Sequence, residues 1–216
     1  MTDKNFYQAP EGGVAFIVRP GQGTNPLHFM MLHGWSGDER VMWVLETVLP
    51  DSAPIVSLRG LFPVDNAGFQ WTNRPASIQT RMQDFSAAVS AVQATLPILV
   101  ERHAFNLERL ILMGFSQGAA LCFALAEALK VPPCGLISLA GFYPEGPTSR
   151  ITKIPVFWGH GIRDDLVPVG RARDDVNRLE STGVDVRYCE ADVGHKLGIE
   201  CTRGLQNWLN ELQNSH

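Results

Sequence analysis

The chain has 216 residues, 45% of them hydrophobic, with 18 basic and 22 acidic side chains and a formal net charge of -4. That is enough for a substantial core in one domain, 1–216, with little room for a separate lid domain. The scattered basic residues exclude a nucleic-acid footprint, and the apolar runs are too short for integral membrane association.

The polar opening, Met1 to Pro10, has no apolar stretch of the signal-peptide kind. Val14 to Val18 and Leu27 to Leu32 then read as strands, the second stopped by His33-Gly34. Asp38 to Leu49 has apolar residues at helical spacing, with Asp38 as a cap. Ile55 to Leu58 is a short strand. Gly60 to Pro75 is a long loop carrying Phe62, Phe69 and Trp71. Ser77 to Val100 reads as a helical stretch interrupted at Pro97.

Leu110 to Met113 is an apolar strand, followed at once by a small-residue helix, Gln117 to Lys130. Gly135 to Leu139, Pro155 to Trp158 and Val184 to Tyr188 read as further strands. Arg171 to Leu179 and Ile199 to Leu212 read as amphipathic helices. Short, fully apolar strands between helices predict an α/β fold with a mostly parallel sheet covered on both faces. Catalytic loops then belong at the carboxyl ends of the strands. Cys122, Cys134, Cys189 and Cys201 form no CxxC pair. They read as buried free thiols, which points to a reducing, cytoplasmic setting.

The segment Gly114-Phe115-Ser116-Gln117-Gly118 carries the chemistry. A Gly-x-Ser-x-Gly pentapeptide between a strand and a helix puts its serine on a sharp turn. Large side chains two residues to either side would collide there, and Gly114 and Gly118 remove them. A serine N-cap would explain Ser116 but not Gly114 or the abrupt strand. Ser116 therefore reads as a nucleophile, and it needs a histidine base held by a carboxylate.

In this fold the chain order is nucleophile, acid, histidine. Of six histidines, His195 alone is well placed after both a nucleophile and an acid. His216 is terminal, and His33 reads as fixing its loop. For the acid, spacing leaves Asp164 and Asp165 open, with Glu145 a weaker third. A metal-hydrolase reading would use His160, Asp164 and Asp165 but lacks a fourth partner and leaves the Ser116 turn unexplained. A binding module on the same fold is the non-enzymatic alternative, favoured by a missing triad member or an occluded pocket.

Together these pieces resemble the carboxylesterase and lysophospholipase family that includes the acyl-protein thioesterases. Four segments carry the resemblance: Leu32-His33-Gly34-Trp35-Ser36-Gly37, the Ser116 pentapeptide, His160-Gly161-x-x-Asp164-x-x-Val167-Pro168, and Gly194-His195 with Glu200 following. The resemblance implies an α/β-hydrolase fold and selects Asp164 as the acid. It implies an oxyanion hole from the backbone N–H groups of Trp35 and Gln117, and a substrate site beside Phe62, Phe69 and Trp71. The implied substrate is an acyl ester or thioester, cleaved with no metal or organic cofactor, and a homo-oligomer stays open. The chain departs from the family at Ala119, Ser36 and Trp35, positions where glycine or a smaller residue is common. Trp35 would narrow the mouth of the site.

Overall fold

The computed structural model describes residues 4–22, 27–65, 68–74 and 77–214. Its strands are β1 (Asn5–Tyr7), β2 (Phe16–Arg19), β3 (His28–Leu32), β4 (Ile55–Leu58), β5 (Phe62–Val64), β6 (Gly68–Gln70), β7 (Leu110–Phe115), β8 (Gly135–Leu139), β9 (Val156–Gly161) and β10 (Val186–Ala191). Its α-helices are α1 (Ser86–His103), α2 (Gln117–Ala128), α3 (Val169–Ser181) and α4 (Ile199–Asn214).

Eight strands form one sheet in the order β1-β2-β4-β3-β7-β8-β9-β10. From β4 to β10 every neighbouring pair is parallel, and β2 is antiparallel to β1 and β4. The central strand β7 offers water almost nothing: its first five residues are buried. A strand buried on both faces needs apolar side chains in both directions, which is why these strands read as continuous apolar runs. Residues of α1, α2 and α3 pack on one face around Phe123 and Trp158. Residues of α4 and the segment Val41–Val48 cover the other around Phe157 and Trp208. This is the mostly parallel, two-sided α/β architecture expected from the pattern and the α/β-hydrolase fold implied by the resemblance, and it gathers the loops after β3, β7, β9 and β10 at one edge.

Several expectations are corrected. Asp38 does cap the segment that follows, accepting from the N–H groups of Arg40 at 2.8 Å and Val41 at 3.2 Å. That segment is nevertheless a 3-10 helix, Val41–Val48; its three valines lose side-chain freedom in an α-helix. The loop from Gly60 contains an antiparallel hairpin, β5 with β6; the loop's predicted end at Pro75 lies outside the described residues, as does His216. The helical stretch predicted from Ser77 starts only at Met82, with a 3-10 turn, Met82–Phe85, and α1 then runs through Pro97 to His103. A proline there removes one helix rung and costs stability. The buried side chains of Leu96 and Leu99 on either side of it hold the helix against the core.

The reading of four free thiols is also corrected. Cys189 and Cys201 form a disulfide, with Cα atoms 5.6 Å apart, while Cys122 and Cys134 are free. Cys189 lies on β10 and Cys201 in the first turn of α4. The loop between them folds back on itself and brings the two sulfurs together. The cytoplasmic reading loses its support from free thiols. No described helix is long and apolar enough to cross a membrane.

Candidate active site

The turn from β7 into α2 is as sharp as the pentapeptide implies. Ser116 sits at φ 53° and ψ −116°, a region that costs a non-glycine residue free energy and persists only where its surroundings enforce it. The enforcement comes from close approach. A Cβ on Gly118 would lie 2.1 Å from the Leu32 carbonyl oxygen, and one on Gly114 would lie 2.4 Å from the Ala119 nitrogen. Glycine at these positions lets β3, β7 and the first turn of α2 touch backbone to backbone.

His195 follows β10. Its Nδ1 lies 2.7 Å from Asp164 Oδ2. A carboxylate oxygen accepts, so Nδ1 carries the proton and Nε2 presents a lone pair. The His195 ring also packs edge-on against Phe115, the residue before Ser116, with centroids 4.8 Å apart. Asp164 follows β9, and its side chain is fully buried. Its other oxygen, Oδ1, accepts from the N–H groups of Leu166 and Val167, both at 2.9 Å. These bonds fix which oxygen faces the imidazole. Asp165 is exposed, and Glu145 is exposed and paired with Arg81. Of the three carboxylates left open by spacing, Asp164 is the one bonded to His195.

Behind Asp164 stands His160, which sequence spacing offered only as a metal ligand. Its Nε2–H donates to the Val167 carbonyl at 2.8 Å and lies 3.5 Å from Asp164 Oδ2. Burial pushes its pKa below the usual histidine value. Its Nδ1 finds no partner among the described residues. Among the described residues, no group of three His, Cys, Asp or Glu side chains is arranged to hold a metal ion.

The loop after β3 carries Trp35. Its shape is set from beneath by His33, whose Nδ1–H donates to the Gly34 carbonyl at 2.7 Å. The His33 Nε2 accepts from the Gly60 N–H at 2.8 Å. One nitrogen gives and the other receives, so the ring must be neutral. Burial lowers its pKa, outweighing the Gly34 bond and the nearby Asp38 and Glu39 charges. Ser36 adopts φ 62°, the left-handed region that suits the glycine common at this place in the resembled family. Gln117 opens α2, where the first N–H groups have no partner within the helix. Among the described residues, neither the Trp35 nor the Gln117 backbone N–H donates to a backbone carbonyl.

The aromatic residues expected at the substrate have other positions. Trp71 is completely buried. Its indole N–H donates to the His33 carbonyl at 2.7 Å, and its backbone N–H donates to the Gln117 side chain at 2.9 Å. It ties the loop after β3 to the start of α2. Phe62 and Phe69 are half-buried in the β5–β6 hairpin, and Phe69 stacks under the Arg59 guanidinium at 4.8 Å. Arg59 in turn grips the buried Glu39 through two hydrogen bonds of 2.6 and 2.7 Å. A cavity of about 490 Å³ beside Ser116 is lined instead by Gln117, Phe142, Leu166, Ile78 and Trp35. Sequence reading missed the Gln117–Trp71 tie and the Glu39–Arg59 pair, because no spacing rule joins residues so far apart in the chain.

A sheet of this topology, with a serine on a strained turn and a histidine–aspartate pair at the same edge, defines an α/β hydrolase, an enzyme of the carboxylesterase type. The profile of the phospholipase/carboxylesterase family matches residues 53–214. The chain belongs to that family. A rice protein (Oryza sativa subsp. japonica) named as a probable inactive carboxylesterase is 24% identical over 204 residues, covering 84% of this chain and 82% of that one. Acyl-protein thioesterase 1 of Saccharomyces cerevisiae is 28% identical over 102 residues, 44% of each chain. That match takes in under half of either chain. In fold it is similar to a carboxylesterase from Mesorhizobium loti, with TM-score 0.83 and 20% identity, covering 96% of this chain and 98% of that one.

Proposed function

We propose that the protein hydrolyses carboxylic esters, thioesters among them, through an acyl-enzyme on Ser116. The observation that carries this reading is the 2.7 Å bond from His195 to the buried Asp164, at the sheet edge where Ser116 is held in its strained turn. His195 Nε2 takes the Ser116 proton as the hydroxyl attacks the substrate carbonyl. Asp164 holds the imidazole in the needed tautomer and stabilises it once it is protonated. The backbone N–H groups of Trp35 and Gln117 receive the oxyanion, a contribution of about 3 kcal/mol for each donor. His195 then gives its proton to the leaving alcohol or thiol, and water activated by the same histidine releases the acid.

The name of the rice relative raises a second reading, a chain that binds acyl compounds without cleaving them. The presence here of serine, histidine and a bonded carboxylate favours catalysis. Steady-state hydrolysis of a short ester by the parent, Ser116→Ala and Asp164→Asn proteins separates the two. The proposal expects activity in the parent, a fall of about 10⁴-fold in Asp164→Asn and a fall of about 10⁶-fold in Ser116→Ala. Equal rates in all three proteins would sink it.

A further inference from the structure

A second cavity, also of about 490 Å³, adjoins the one beside Ser116, and Trp35 lines both. Its wall is apolar: Val41, Met42, Val44 and Leu45 from the 3-10 segment face Phe115 and Leu197. Two of these residues are open to solvent, Val41 at 49% and Val44 at 78% exposure. The Trp35 indole N–H is tied to the Gln70 side chain at 3.0 Å, which holds this shared wall residue in place. Cavities of this size and lining suit small organic groups.

We infer that this second cavity binds the leaving group, and that the preferred substrates are esters of apolar alcohols or thiols. The inference rests on the catalytic reading above and deepens it. In that chemistry the acyl group stays bonded to Ser116 after the leaving group departs. The acyl group therefore belongs to the cavity lined by Ser116 and Gln117. The leaving atom has to lie within hydrogen-bond reach of His195 Nε2 to take its proton. The second cavity is walled by the residues that follow His195, Lys196 and Leu197, and by Phe115, whose ring packs against the imidazole. Gly34 joins the two regions: it lines the second cavity, and a Cβ there would meet the Ser116 Cβ at 3.3 Å. Lys196 is the charged side chain of this wall. A charge on the leaving group is therefore accepted when negative and refused when positive.

The test uses two ester series. One holds the acid as acetate and lengthens the alcohol from ethyl to 2-phenylethyl; the other holds the alcohol as ethyl and lengthens the acid to octanoate. For the parent, kcat/KM rises at least tenfold along the alcohol series, and 3,3-dimethylbutyl acetate is preferred at least tenfold over its cationic isostere acetylcholine. Val41→Asp abolishes the gain along the alcohol series, while the ratio of octanoate to acetate rates along the acid series is kept. Losses confined to the acid series, or equal in both, overturn the inference, as does a preference for acetylcholine. A binding arm stands apart from catalysis. In Ser116→Ala protein, 2-phenylethanol shifts the Trp35 indole N–H resonance, and Val41→Asp added to it removes the shift. Absence of the shift overturns the subsite; a shift in a parent protein that hydrolyses neither series overturns the catalytic reading alone.

Discussion

Cys189 and Cys201 are joined across the loop that carries His195. The bridge spans 12 positions in sequence and staples the end of β10 to the first turn of α4. His195 sits between the two anchors, so its position over Asp164 depends on a short closed loop. Cross-linking a loop of this size contributes about 3 kcal/mol through the unfolded chain. Cys189→Ser with Cys201→Ser, or reduction of the parent, therefore lowers the denaturation free energy by about that amount. It also lowers kcat more than it raises KM, because the loosened loop holds the base rather than the substrate. Denaturant titration and steady-state kinetics with and without a dithiol reductant check both parts. Unchanged stability on reduction would contradict the bond.

Gly118 tests the backbone contact under the nucleophile. An added Cβ meets the Leu32 carbonyl oxygen at 2.1 Å and the His33 carbonyl oxygen at 2.5 Å. Neither can move without shifting β3 and the loop that carries Trp35. Overpacking against backbone costs about 3 kcal/mol. Gly118→Ala is expected to lose that much stability and most of its activity, whereas Gly170→Ala, which meets nothing within 4 Å, is expected to keep both. Thermal unfolding of the two variants gives the comparison.

The neutral state of His33 makes stability depend on pH in a fixed direction. Burial lowers its pKa below the usual 6.5, and burial lowers those of His160 and His28 as well. A group whose folded pKa is depressed leaves the unfolded chain holding more protons as pH falls. The contribution is whole above pH 6.5 and is lost as pH drops from there through the folded values. Protonating His33 Nε2 would also break the Gly60 bond and unsettle the loop after β3. The unfolding temperature is therefore expected to fall between pH 7 and pH 5. His33→Asn is expected to be less stable at pH 8 but to show a shallower fall. A parallel fall in parent and variant would assign the dependence to other groups.

His160 is placed to hold Asp164 through the Val167 carbonyl. Replacing it by phenylalanine leaves that buried carbonyl without its donor, at a cost of about 1–3 kcal/mol. The loop whose N–H groups hold Asp164 Oδ1 then loses a fixed point. His160→Phe is expected to lower kcat at least tenfold with little change in KM, and His160→Gln, which keeps an N–H donor, is expected to recover part of it. Equal kcat in the two variants would show that the donor has no part in positioning.

Much of this was legible in the sequence because the signals are local. The strand Leu110 to Met113, the two glycines and the helix after them lie within one short segment, and periodicity and close packing act over that range. Asp164 and Asp165 are adjacent, so spacing left them open. The choice is made by the turn that aims the Leu166 and Val167 N–H groups at one carboxylate. Trp71 reads as a pocket residue because an aromatic side chain in a long loop has no visible partner. Its partners, His33 and Gln117, come from two other parts of the chain. The Cys189–Cys201 bridge was hidden for the same reason: each cysteine has the pattern of its own element, and only the fold brings them together.

The central claim is that Ser116 is the nucleophile. Its most direct test is treatment with a fluorophosphonate, followed by peptide mass spectrometry and residual-activity assay on the same sample. The account predicts one adduct per chain, on Ser116, with activity lost in proportion to labelling and no adduct on Ser116→Ala protein. An adduct on another residue that accompanies the loss of activity, or full activity in the labelled protein, would contradict it.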